Sequence, residues 1–108
     1  MSLNKRLIAG GGAQFVASEN FKALTYTGNG GNQTINVGFQ PDFVWIKSRD
    51  DTSSHSWTDS ARGNSVVLQS NENGAQASGQ ITLNANGFSM TNDNALRNNA
   101  GVRYVAFC

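Results

Sequence analysis

Charge is scarce in this chain of 108 residues. Asp, Glu, Lys and Arg together make up 14% of it, against roughly 25% in ordinary soluble domains. Eight basic and seven acidic residues leave a net charge of +1. No basic stripe is present to draw a polyanion, so neither nucleic acid nor an anionic membrane surface is expected as a partner. Cysteine occurs once, at Cys108, which excludes an internal disulfide and a cysteine-based metal site. Long apolar runs are missing as well. The opening MSLNKRLIAGGGA follows its basic residues with only Leu7, Ile8 and Ala9, short of the roughly 7–15 apolar residues of a secretory core. Nothing approaches the roughly 20 apolar residues of a membrane helix. A soluble chain without membrane insertion or its own export signal is expected.

The place of charge is taken by Asn, Gln, Ser, Thr and Gly. Such chains hold their shape through short strands and turns, because Asn and Gly tolerate positive φ and Asn bonds its own backbone. The length allows one domain with a modest core. Residues 1–18 read as an arm in which Leu3, Leu7 and Ile8 line a short helical turn that Gly10, Gly11 and Gly12 cut off. An arm of that kind cannot bury its own apolar residues. Either it frays, as termini do, or Leu3, Arg6, Leu7 and Ile8 contact a partner subunit.

From residue 19 to residue 108 the pattern is β. FKALTYT, QTINV, DFVWIKS, HSWTD, SVVLQ, QITLN, FSMT and VRYVAFC read as strands, separated by GNGGN, a corner at Pro41, SRDDTSS, SARGN, NENGAQASG and NDNALRNNAG. Asn86-Gly87 reads as a hairpin turn. DFVWIKS places Phe43, Trp45 and Lys47 on one face and Val44 and Ile46 on the other, which suggests cover on both sides. About eight short strands with no convincing helix indicate an antiparallel, jelly-roll-like β-sandwich.

Chemistry concentrates between Gly38 and Gly63, which hold both tryptophans, the one proline and the one histidine. His55, Asp59 and Ser60 have the residue types of a nucleophile triad. In a strand, however, His55 and Asp59 stand about 13 Å apart and Ser60 points the other way. Adjacent Asp50 and Asp51 diverge rather than face each other across a sugar, and they lack the spacing of an EF-hand. No catalytic residue, metal ligand or cofactor is therefore assigned, and the chain is read as a non-enzyme. Asp59 and Arg62 bracket a tight turn that accounts for both of them. Trp45 lies in the most apolar strand and is expected in the core. Trp57, between Ser56 and Thr58, is the candidate for a surface ring that stacks on a glycan.

Four segments then carry a resemblance. Tyr26–Gly30 (YTGNG), Gly38–Lys47 (GFQPDFVWIK), Asp59–Gly63 (DSARG) and Tyr104–Cys108 (YVAFC) stand in the order found in a recurrent domain of bacteriophage tail fibre and tailspike proteins, which residues 24–108 resemble. The resemblance implies a virion structural protein, placed in the tail and assembled in the host cytoplasm. It implies a homo-oligomer, a trimer by analogy, contacting other virion proteins and serving tail assembly or host attachment. A capsid or neck decoration protein of the same fold and a module binding host cell-surface glycan are the alternatives. The family pattern supplies no catalytic residue to carry over.

Overall fold

The computed structural model describes residues 16–91 and 96–108. Over these residues the chain is an antiparallel β-sandwich of nine short strands: β1 (Ala23–Thr27), β2 (Gln33–Asn36), β3 (Phe43–Ser48), β4 (Ser56–Asp59), β5 (Val66–Gln69), β6 (Ala77–Ser78), β7 (Ile81–Asn84), β8 (Gly87–Met90) and β9 (Arg103–Phe107). One sheet has six strands in the order β1-β9-β3-β4-β5-β6 and the other three in the order β2-β8-β7. All eight strands expected from alternation form. The ninth, β6, is a two-residue pairing of Ala77 and Ser78 with Val67 and Val66 inside a segment whose composition reads as loop. Before β1, Ala17–Glu19 make a single 3₁₀ turn.

Alternation along each strand sorts side chains between two faces. Val44, Ile46, Val67, Tyr104 and Ala106 point inward from the large sheet, and Ile35, Ile81, Leu83, Phe88 and Met90 meet them from the small one. Tyr26 stacks on Tyr104 at 5.2 Å and lies edge-on to Phe88. These aromatic contacts add to the transfer of large rings out of water.

The turns are built by specific groups. In the β7–β8 hairpin Asn84 pairs with Gly87, so the two loop residues are Ala85 and Asn86. This corrects the expectation that Asn86-Gly87 makes the turn. Gly87 belongs to β8, where a Cβ would collide with the Ile35 carbonyl of β2. Asn84 Oδ1 accepts the Asn86 N–H, and the Asn86 carbonyl accepts the N–H groups of both Val37 and Gly38. At the other hairpin end, Asp59 Oδ1 accepts the Arg62 N–H and Asp59 Oδ2 pairs with Arg62 Nε at 2.9 Å. Gly63 closes that turn at φ 96°.

A fully buried amide fixes the far end of the large sheet. Asn98 Nδ2 donates to Asn29 Oδ1 and to the Gly31 carbonyl, while its Oδ1 accepts the Asn29 N–H. Gly28 permits this, since a Cβ there would run into the Asn99 carbonyl. The Tyr26 hydroxyl donates to the carbonyl of Arg97, and buried Arg97 reaches Ser56 Oγ through Nη1 at 2.8 Å. The segment read as a polar loop therefore contains two buried polar residues, Arg97 and Asn98.

Candidate functional site

The outer face of the six-stranded sheet carries the site. The strand registers align Ala23 with Phe107, Phe107 with Trp45, Trp45 with Trp57, and Trp57 with Leu68. Five residues of low polarity thus cross five strands in one row, on the side away from the small sheet. Trp45 is tilted against Phe107 at 5.4 Å and meets the His55 ring edge-on at 5.2 Å. Phe43 extends the row to Trp57, 6.0 Å away between ring centres.

Trp45 and Trp57 are both half-buried, and so is Phe107. The expectation that Trp45 belongs to the core is corrected by this placement. The inward positions of β3 are Val44, Ile46 and Ser48, so Trp45 is turned outward, where no second layer of described residues covers it. Its indole N–H donates to Ser70 Oγ at 2.9 Å. Trp57, expected as a surface ring, stands on the same face.

The charges around the row are already engaged. At one end Arg103 grips Asp50, with Nη2 at 2.6 Å from Oδ1 and the Arg103 backbone N–H at 2.8 Å from Oδ2. Those hydrogen bonds hold the Asp50 carboxyl down at about 2. The pair is solvent-exposed, and exposed ion pairs add little to stability. Its consequence is positional, since it neutralises that end of the face. At the opposite end Asp59 and Arg62 neutralise each other, and the Arg62 backbone N–H is the foremost cause of the lowered Asp59 pKa. Lys47 donates to the carbonyls of Ser48 and Asp51. Asp51 accepts the Ser53 N–H, which lowers its pKa too. The middle of the face is left neutral and apolar.

A polar loop borders the row. Ser70–Gly74 line an open depression. The loop is tied down on its Ser70 side, with the His55 N–H on Asn71 Oδ1, the Ser54 hydroxyl on Glu72 Oε2 and the Ser70 N–H on the His55 carbonyl. Hydroxyl and amide groups therefore stand beside the aromatic row at fixed positions.

Of the three residues with nucleophile-triad types, Asp59 is engaged by Arg62, His55 packs on Trp45, and the Ser60 backbone N–H donates to the Asp42 carbonyl. Among the described residues no three His, Cys, Asp or Glu side chains group as metal ligands. No helix among them is long and apolar enough to cross a membrane. The partner-contact candidates Leu3, Arg6, Leu7 and Ile8 lie outside the described residues. What sequence reasoning missed is the row itself. The alternation of DFVWIKS signals two apolar faces, but cross-strand register, which assembles Phe107, Trp45 and Trp57, has no mark in any single strand.

No curated protein and no solved structure matches the chain. Residues 16–108 match the family described as Domain of unknown function (DUF7483). The match starts at Val16 and takes in all nine strands, the clamp at Asn98 and the aromatic row, and the chain belongs to that family.

Proposed function

We propose that the chain is a non-enzymatic structural module of a bacteriophage virion, of the tail fibre or adhesin type, that works in tail assembly or host attachment by presenting the outer face of its large sheet. The observation that carries this reading is the row Ala23–Phe107–Trp45–Trp57–Leu68, open to solvent on a face whose flanking charges are paired off. A neutral, ring-rich surface suits association with sister copies, in a trimer or another closed ring, or with another virion protein. The few residues that dominate the energy of such contacts are enriched in tryptophan. The resemblance supports the virion setting. Each of its four segments has an architectural task here: YTGNG meets Asn98, GFQPDFVWIK forms β3, DSARG closes a turn, and YVAFC forms β9. None of them needs a chemical role to be explained.

A second reading has its own support. Ser70 and Asn71 lie beside Trp45 and His55, and rings flanked by hydroxyls and amides suit a host cell-surface glycan.

The test labels the protein on purified particles and measures adsorption to host cells with Trp45→Ala/Trp57→Ala in place of the native chain. Label on the tail, with assembly or adsorption lost while the domain stays folded, is the expected result. Label on the head or neck makes the chain a decoration protein of the same fold. Soluble host polysaccharide that shifts tryptophan emission, and competes with adsorption, selects the glycan reading. A chain absent from every particle overturns the proposal.

A further inference from the structure

Most charges of this protein are taken up within it. Among the described residues, the charged side chains with neither a hydrogen bond nor an ion pair are Glu19, Lys22, Asp42 and Arg49. They are sorted in space. Asp42 precedes β3 and Arg49 follows it, so these two stand at opposite ends of a central strand. Glu19 and Asp42 line a recess of ≈ 300 Å³ with Phe21, Phe39 and Phe43 on its walls, at the end of the sandwich where β1 begins and β9 stops. Phe21 is 59% exposed and Phe43 40%. Two rings thus stand in water beside two carboxylates that no cation engages. Lys22 adjoins Phe21 in sequence but does not line the recess. At the far end of β3 the balance is reversed. Arg103 holds Asp50 and the Asp51 carboxylate accepts the Ser53 N–H. The exposed Arg49, whose backbone N–H donates to the Arg103 carbonyl, is left with its guanidinium over.

One copy cannot join these groups. The extended strand between Asp42 and Arg49 sets them roughly 20 Å apart, beyond the reach of an arginine. We propose that the recess receives Arg49 of a second copy, set head to tail with the first. The stem of the arginine covers the rings of Phe21 and Phe43, and its guanidinium meets Glu19 and Asp42. A small free cation is the poorer occupant. Sites for small ligands enclose most of the ligand and begin at about 300 Å³, whereas two rings of this recess would stay in water around one. The surface that gives and the surface that receives are different, so the contact is heterologous and copies continue in a row or close as a ring. It uses the end of the sandwich rather than the aromatic row, and it stands whether or not the chain serves a virion.

A contact of this size is weak, so sedimentation velocity of the full chain is carried up to about one millimolar, beside thermal melts. The native chain is expected to self-associate there, less so at high salt. Asp42→Lys and Arg49→Glu, both at exposed positions, each raise the Kd on the order of tenfold or more. The double variant Asp42→Lys/Arg49→Glu has the net charge of the native chain and regains association, because the two charges have changed places. A native chain that stays monomeric overturns the proposal. Association that both single variants keep overturns it too, since another surface then carries the contact. So does a double variant that stays monomeric, because the loss in the single variants then reflects net charge alone. If Asp42→Lys melts early, Glu19→Lys takes its place in the same comparison, alone and with Arg49→Glu, and is read in the same way.

Discussion

Among single residues, Asn98 does the most with the least surface. It is fully buried and satisfies three groups of the Asn29–Gly31 turn. Truncation removes all three bonds and empties the buried space the amide fills, although Asn29 Oδ1 keeps the Gly31 N–H. Asn98→Ala is therefore expected to cost about 1–3 kcal/mol, read as a lowered urea midpoint with faster amide exchange at Asn29 first. The sequence shows GNGGN as a turn because glycine and asparagine dominate it. It does not show the partner, which lies 69 residues away in a run of similar asparagines. A side chain that reaches a distant backbone leaves no periodic trace. The turn at Asp59 and Arg62 is legible for the opposite reason, as both partners sit within three residues.

Strand β8 shows how an element can be found correctly and explained wrongly. The hairpin exists where alternation puts it, yet Gly87 is inside the strand and faces the β2 backbone. The collision a methyl group would make there is with a main-chain carbonyl, which no change of rotamer relieves. Gly87→Ala is expected to cost about 1–3 kcal/mol or more by prising β2 from β8. Gly31→Ala, where nothing lies within 4 Å of the added carbon, stays within about 0.5 kcal/mol. Thermal melts of the two variants side by side check both. β6 escapes notice from sequence because two paired residues give alternation nothing to repeat.

For the molecule as a whole, the β-sandwich follows from strand count and spacing, but the side its smaller sheet covers does not. Both faces of DFVWIKS are apolar, so its residues alone cannot say which will be roofed. The three-stranded sheet settles it by packing on Val44 and Ile46, and the tryptophans remain outside. Both indoles should accordingly be quenched by acrylamide in the native protein, with similar efficiency and without a blue-shifted component. One tryptophan shielded from quencher would mean that Trp45 is internal after all. The candidate site is legible to the extent that Trp57 is named from its polar neighbours. Trp45 and Phe107 join it only through register.

Strand β9 lies between β1 and β3, paired with Tyr26 on one side and Lys47 on the other. It is the ninth strand in chain order and a central one in space. While the protein is being made, β1 therefore has no neighbour until residues 103–107 have cleared the ribosome. The nascent sheet waits with a slot in it, and contacts so distant in sequence close slowly. Any segment of matching β character that reaches the slot first, from another newborn copy for instance, would compete with the chain's own strand.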